Sequence, residues 1–170
     1  MKVFAVRGIK NSGKTTTIEG IIRELTVRGN RVGSIKNIHC EDFKMDPSLT
    51  SDTGRHRTAG SQLICAYAKQ ETSLLFPHRL PTEKLLTYYQ DECDWVVCEG
   101  ISDITLPTIV TAHCQEDLLE KWNDQVFCIS GVISTSIKEY GGVPAINSID
   151  KINDLVDLIE DKVRDWPPLP

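Results

Sequence analysis

The first residues with an evident chemical use form a glycine-rich segment near the N-terminus. It matches the pattern G-x-x-x-x-G-K-[ST] at every fixed position and consists of Gly8-Ile9-Lys10-Asn11-Ser12-Gly13-Lys14-Thr15. Glycines at these positions let the backbone curl so that several N–H groups point at phosphate oxygens. The lysine adds a positive charge beside the β- and γ-phosphates, and the threonine hydroxyl is a ligand for Mg²⁺. The segment therefore predicts a P-loop, the phosphate-binding loop of a nucleoside triphosphate site.

The sequence on both sides of the P-loop supports this prediction. Residues 1–6 form an apolar run typical of a buried strand, and apolar residues recur at helical spacing over residues 15–28. Gly29 marks the end of that helix. A helix starting here places its N-terminal partial positive charge at the phosphates. The residues predicted to bind the nucleotide are Gly8, Asn11, Ser12, Gly13, Lys14, Thr15 and Thr16.

A nucleotide site of this kind also needs an acidic residue near the metal ion. Glu99 directly follows the apolar run from Trp95 to Cys98, so we expect it at the carboxyl edge of a parallel sheet, where ligands bind. Asp94 begins the same run and is expected at the opposite edge, in a structural or solvated role. We predict that Glu99 holds Mg²⁺ and acts in catalysis with Lys14 and Thr15. The alternative is that Glu99 only caps the next turn.

A polar segment without helical or strand periodicity follows the second predicted strand, over residues 37–52. Loops of this length in compact domains are often functional, and this one leaves from the same sheet edge as the P-loop. We expect Asp52 to be a second metal contact, or else the N-cap of the following helix. Arg55 or Arg57 is predicted to clamp phosphate. Lys36 and His39 at the strand exit are predicted to contact an anionic substrate; the alternative is that these are solvated loop charges.

The rest of the chain alternates strand and helix patterns. Most strands read as continuous apolar runs, which indicates that both faces of the sheet are covered. Residues 53–69 are predicted to be helical, and residues 73–76 to form a strand. We predict an α/β fold of three layers, a P-loop NTPase fold whose mainly parallel sheet is flanked by helices. It comprises one domain over residues 1–165, followed by a proline-rich tail over residues 166–170.

Composition argues against several functional classes. The net charge is −5, with 40% hydrophobic and 25% charged residues, which is typical of an ordinary globular protein. An acidic chain lacks the basic footprint of non-specific nucleic-acid binding, so no nucleic-acid partner is expected. No apolar run approaches the roughly 20 residues of a membrane span, and residues 1–6 are too short for a signal peptide. We therefore expect no membrane association and a cytoplasmic location.

The six cysteines form no C-x-x-C pair and are expected to be free thiols. We expect Cys65, Cys98 and Cys128 to be small buried apolar residues. A zinc site would require spatial convergence of distant residues. The residues for such a site are His39, Cys40, Cys93 and Cys98.

Base recognition is less clearly encoded. The Asn-Lys-x-Asp tetrapeptide with which common GTPases read guanine is absent from the sequence. Weak candidates for a base-binding loop follow the late apolar run of residues 126–129. They are Ser130-Gly131 and Ser134-Thr135, with Asn147 further along. The choice between GTP and ATP remains open at this point.

Taken together, these residues resemble the molybdopterin-guanine dinucleotide biosynthesis protein B family, MobB. Four blocks in the family's order carry the resemblance, and they span residues 1–101. They are the P-loop with Lys14-Thr15-Thr16; Ser34-Ile35-Lys36-Asn37-Ile38-His39; Met45-Asp46-Pro47 with Asp52-Thr53, Arg57 and Ala59-Gly60; and Val96-Val97-Cys98-Glu99-Gly100.

The resemblance implies a GTP-binding protein with weak hydrolysis, an accessory partner in attaching a guanine nucleotide to the molybdenum cofactor. It implies GTP, Mg²⁺ and molybdopterin as ligands, and a homodimer that associates with a MobA-like nucleotidyltransferase. By position, the P-loop residues Gly8, Gly13, Lys14 and Thr15 would bind phosphate and Mg²⁺. Asp52 and Glu99 would serve the metal, and an adjacent anion pocket would be lined by Lys36, His39 and Arg57.

The sequence also departs from the family's pattern, and two alternatives stay open. Positions where the family has other residues are occupied by Asn37, Cys40, Ser102 and Gly131-Val132. One alternative is a small-molecule or nucleotide kinase using ATP, for which Arg79 is the one hint of a lid. The other is a non-catalytic, nucleotide-gated cofactor carrier. No residue clearly orients a water for attack, so we expect turnover well below about 1 s⁻¹.

Overall fold

A computed structural model describes residues 1–40, 42–45 and 48–166. Asp46 and Pro47, which belong to the third block of the resemblance, lie outside the described residues, as do residues 167–170 of the predicted tail. The elements in chain order are β1 (Lys2–Gly8), α1 (Lys14–Val27), β2 (Val32–Lys36), α2 (Asp52–Thr58), β3 (Ile64–Tyr67), β4 (Thr72–Leu75), α3 (Thr82–Thr87), β5 (Trp95–Glu99), β6 (Thr108–Thr111), α4 (Gln115–Lys121), β7 (Val126–Ser130), a 3₁₀ turn (Val132–Thr135), β8 (Glu139–Tyr140), β9 (Val143–Pro144) and α5 (Ile152–Lys162).

The central sheet has five strands in the order β2-β5-β1-β6-β7, and every pair is parallel. The P-loop strand β1 is therefore in the middle, and β5, which ends at Glu99, is hydrogen-bonded directly beside it. In the register of this pair, Val6 lies opposite Glu99. Because parallel strands end at one edge, the P-loop, Lys36 and Glu99 all leave the sheet on the same side.

Alternate residues of the strands bury two opposite faces of the sheet. Phe4 and Val6 of β1 pack with α1 and α5, whereas Val3 and Ala5 pack with α3. A third cluster, which includes Val110 of β6, packs with α4. The predicted three-layer α/β fold with a parallel sheet between helices is therefore confirmed.

The predicted helix over residues 53–69 is wrong in its second half. Helix α2 ends at Thr58, and the chain then turns at Gly60, whose φ is +99°. Residues Ile64–Tyr67 instead form β3, which pairs antiparallel with β4 in a separate hairpin. The strand predicted at residues 73–76 exists as β4, but it pairs with β3 and not with the central sheet. Pairing with the neighbouring segment Thr72–Leu75 in the hairpin overrode the helical spacing.

The N-cap of α2 is Ser51, whose hydroxyl accepts a hydrogen bond from the Gly54 amide at 3.0 Å. The prediction that Asp52 is the N-cap is therefore wrong, because Asp52 is already the first helical residue. Cys98 and Cys128 are buried as predicted, but Cys65 is exposed on the hairpin and that prediction is wrong. Trp166, the first residue of the predicted tail, packs against the cluster that contains Leu86.

Candidate nucleotide-binding site

The P-loop connects β1 to α1 through two residues with left-handed backbone conformation. Asn11 has φ +61° and Gly13 has φ +95°. Gly13 is the N-cap of α1, and none of the described residues caps this helix end with its side chain. The first turn of α1 contains no acidic residue. The first amides of a 14-residue helix are therefore left to an external acceptor, which is the arrangement that binds phosphate.

Buried contacts with β6 and with the segment after β7 hold the P-loop in place. The hydroxyl of Ser12 is fully buried, donates to the Ile9 carbonyl at 2.9 Å and is 2.7 Å from the hydroxyl of Thr111 on β6. The Val132 amide, after β7, donates to the Ser12 carbonyl at 3.2 Å. A side chain at Gly8 would collide with the Thr111 carbonyl, since its Cβ would lie 2.2 Å away. Ser12 and Gly8 thus shape the loop through packing.

A pocket of about 430 Å³ opens above the P-loop. Asn11, Gly13, Lys14, Thr15 and Thr16 from the predicted nucleotide-binding set line it. Its remaining lining residues are Lys10, Lys36 and Glu99. The volume is that of a typical small-molecule site. Lys10 was not predicted as a site residue, because it occupies a variable position of the motif. Its place between the two fixed glycines of the motif could have indicated that it lies near the phosphates.

Lys14 is the cation at the base of this pocket. Its Nζ donates a hydrogen bond to the Ile9 carbonyl. Burial lowers the pKa of Lys14, the carboxylate of Glu99 raises it, and the neighbouring charges of Lys36 and Lys121 lower it. The ammonium is thus partly desolvated and lies near one carboxylate and two other cations, and an anion entering the pocket would favour its charged form.

Glu99 and Lys36 face each other across neighbouring strands. They are direct register partners in β5 and β2, and Lys36 Nζ lies 3.1 Å from Glu99 Oε2. The carboxylate is 14% exposed, whereas the lysine side chain is 57% exposed. Among the described residues, the carboxylate of Glu99 bonds to Lys36 and not to the backbone of the turn that follows.

The donor set at this edge fits Mg²⁺ better than zinc. Mg²⁺ prefers oxygen ligands and is usually held by one or two carboxylates together with substrate phosphates. The Thr15 hydroxyl and the Glu99 carboxylate supply such oxygens in one pocket. Within the described ranges, no group of three or more His, Cys, Asp or Glu side chains is placed to hold a metal ion, including the proposed set around Cys40.

Six predicted site residues do not line the P-loop pocket: Gly8 and Ser12, which shape the loop, and His39, Asp52, Arg55 and Arg57. The carboxylate of Asp52 is 92% exposed and lies 3.8 Å from the guanidinium of Arg55 on the same helix. His39 is exposed in the segment after β2. Asp94 lies at the opposite sheet edge as expected, where its carboxylate binds Arg31 at 3.0 Å and its pKa is lowered by that hydrogen bond.

The fold and the site together define a P-loop α/β protein. Residues 3–132 match the family described as molybdopterin guanine dinucleotide synthesis protein B, MobB. The chain therefore belongs to the MobB family, whose role lies in molybdopterin guanine dinucleotide biosynthesis. Of the described residues, none belongs to a helix with the length and apolar character needed to cross a membrane.

Curated relatives carry the same role in their descriptions. A probable molybdopterin-guanine dinucleotide biosynthesis adapter protein from Bacillus subtilis is 24% identical over 95% of this chain and 93% of its own length. A putative adapter protein of the same kind from Methanocaldococcus jannaschii is 33% identical over 65% of this chain and 47% of its own length.

Solved structures share the fold. A crystal structure of Bacillus subtilis MobB superposes with a TM-score of 0.76 at 24% identity, over 98% of this chain and 100% of that one. A MobB homologue from Bacillus stearothermophilus superposes with a TM-score of 0.69 at 19% identity, over 94% of this chain and 96% of that one. These likenesses concern the fold of the chain.

Proposed function

We propose that this protein is a GTP-binding adapter in molybdopterin guanine dinucleotide formation, with slow, Mg²⁺-dependent GTP hydrolysis. One observation carries the proposal: the uncapped N-terminus of α1, Lys14, Thr15 and Glu99 surround a single pocket beside the P-loop. Molybdopterin and a MobA-like nucleotidyltransferase are its proposed further partners, and the cytoplasm is its proposed location.

The proposed roles follow from the positions of the side chains. Lys14 binds the β- and γ-phosphates, and the amides at the start of α1 bind their oxygens. Mg²⁺, when bound with the nucleotide, offsets negative charge on the phosphates, and Thr15 and Glu99 would hold it. Lys36 orients the Glu99 carboxylate through their 3.1 Å ion pair.

Slow hydrolysis is supported by what lines the pocket. Among the described residues, its lining contains no glutamine, histidine or arginine side chain. Such groups orient the attacking water or stabilise transition-state charge in efficient nucleotide hydrolases. Turnover by the isolated chain is therefore expected below about 1 s⁻¹. The kinase alternative receives no support from Arg79, whose guanidinium donates to Asn37 at 3.2 Å outside the P-loop pocket.

Titration calorimetry tests the nucleotide proposal. GTP and ATP, each with Mg²⁺, are titrated into the wild type, Lys14→Ala and a control, Lys162→Ala. Lys162 is the exposed last residue of α5. We expect tighter binding of GTP than of ATP, loss of GTP binding in Lys14→Ala, and wild-type affinity in Lys162→Ala. Preference for ATP, or equal binding by both variants, would overturn the proposal.

We also propose a homodimer that uses the β3–β4 hairpin. A two-stranded sheet is marginally stable alone, and this one exposes 87% of Tyr67 next to a loop that exposes 80% of Met45. Light scattering after gel filtration is expected to give a dimer for the wild type and a shift towards monomer for Tyr67→Lys. The matched control is Val27→Lys on α1, where the wild-type side chain is 76% exposed. A monomeric wild type contradicts this proposal.

A further inference from the structure

A second pocket adjoins the nucleotide pocket. It has a volume of about 340 Å³ and lies between the end of β2 and the segment of residues 74–82. Lys36 lines both pockets, so a ligand in the second one meets the same ammonium that faces Glu99. The volume is at the small end for ligand sites and suits one compact ring system.

The second pocket is electropositive in a chain of net charge −5. Three basic side chains line it, from Lys36, His78 and Arg79, and its described lining contains no carboxylate. The guanidinium of Arg79 is oriented by donating to the Asn37 side chain at 3.2 Å. An oriented guanidinium and an ammonium that line the same pocket are groups that bind phosphate by charge-assisted hydrogen bonds.

Apolar side chains form another wall of this pocket. It is formed by Ile35 of β2, Leu85 of α3 and Ile101 after β5, of which Ile35 and Ile101 are 7% and 3% exposed. The ring of Phe76 also lines the pocket and packs against Tyr88 with 5.4 Å between ring centroids. A ligand that satisfies both walls needs a flat, weakly polar body and an anionic end.

We propose that this second pocket binds a phosphorylated pterin, with the ring system against the apolar wall and the phosphate held by Arg79 and Lys36. The proposal rests on the proposed function, since the family role selects a pterin among flat phosphorylated heterocycles. Sharing Lys36 places the pterin phosphate next to the phosphates of the nucleotide. The arrangement holds the two ligands of a dinucleotide pathway side by side.

Pterin fluorescence provides the test. Neopterin 3′-monophosphate is titrated into the wild type, Arg79→Gln and the control Arg164→Gln, whose arginine is exposed in the segment after α5. Neopterin without phosphate and inorganic phosphate are titrated as competitors. We expect Arg79→Gln to weaken binding of the phosphorylated pterin about tenfold or more, because a charge-assisted contact is lost. Arg164→Gln is expected to bind within about twofold of the wild type.

The comparators decide between outcomes. If inorganic phosphate binds with the same affinity as neopterin monophosphate, the proposal is overturned, because the apolar wall would then contribute nothing to binding. Equal effects of Arg79→Gln and Arg164→Gln would overturn it by placing the ligand elsewhere. Calorimetry with GTP and Mg²⁺ on Arg79→Gln separates this inference from the nucleotide proposal. If Arg79→Gln keeps its GTP affinity but loses pterin binding, the inference is supported. If the wild type binds GTP but does not bind the pterin, the inference is refuted and the nucleotide proposal stands.

Discussion

The replacement Gly131→Ala tests how the P-loop is supported. Gly131 follows β7 and has φ +74° and ψ −153°, a conformation that is essentially restricted to glycine. A Cβ there would lie 2.1 Å from the Ser12 carbonyl oxygen and 2.9 Å from Cβ of Thr111. Ser12 is a buried residue of the P-loop and Thr111 is a buried residue of β6, so the clash cannot be relieved by rotating an exposed side chain.

The expected loss of stability has two parts. The backbone conformation costs about 1–3 kcal/mol for a residue other than glycine. Moving buried neighbours to admit the methyl group costs a further amount of about 1–3 kcal/mol. The matched control is Gly29→Ala, since Gly29 has φ +88° but no atom within 4 Å of an added Cβ. The control therefore carries the cost of a positive φ without the clash.

Urea denaturation followed by circular dichroism measures the difference. We expect Gly131→Ala to be less stable than Gly29→Ala by about 1–3 kcal/mol, a large part of the roughly 5–15 kcal/mol that stabilises a typical domain. GTP affinity is expected to fall only in Gly131→Ala, because the Ser12 carbonyl is displaced. Equal stability of the two variants would refute the argument that the turn after β7 supports the P-loop.

Two further predictions concern helix packing and thiol reactivity. Arg28 joins α1 to α5 through ion pairs with Glu24, Asp157 and Glu160. Urea denaturation of Arg28→Gln should therefore show a free energy of unfolding lower by about 1 kcal/mol at low salt, and a smaller loss at about 1 M NaCl. Equal losses at both salt concentrations would contradict this. Burial raises the pKa values of Cys98 and Cys128 to about 12, so iodoacetamide at pH 8 should spare both in the folded protein. Mass spectrometry should find alkylation at exposed Cys40 and Cys65; alkylation of Cys98 at their rate would rule out its burial.

Local sequence was sufficient for the parts of the site that lie on adjacent residues. Lys14 and Thr15 follow from the motif because the strand, turn and helix that hold them are consecutive in the chain. The position of Glu99 was also predictable, since an acid directly after an apolar strand must emerge at the carboxyl edge of a parallel sheet. The P-loop and Glu99 consequently meet in one pocket.

The segment between β2 and α3 was predicted least well. The sequence spacing favoured a helix through residue 69, but Ile64–Tyr67 pairs with Thr72–Leu75 in a hairpin. His39 and Arg57 were predicted beside the phosphates, and neither lines the P-loop pocket. Their placement depends on how a long loop crosses the sheet edge, and local periodicity carries no information about that path.

The sequence by itself determined the P-loop, the strand and helix on either side of it and the edge at which Glu99 emerges, because each depends on neighbouring residues or on strand direction. Tertiary structure decided the strand order that places β5 beside β1, the contact of Gly131 with the P-loop and the ion pair of Lys36 with Glu99. It also formed the second pocket, whose walls come from residues 35–38, Phe43, residues 74–85 and Ile101. These features require contacts between residues distant in sequence, and such contacts form only when the whole sheet assembles.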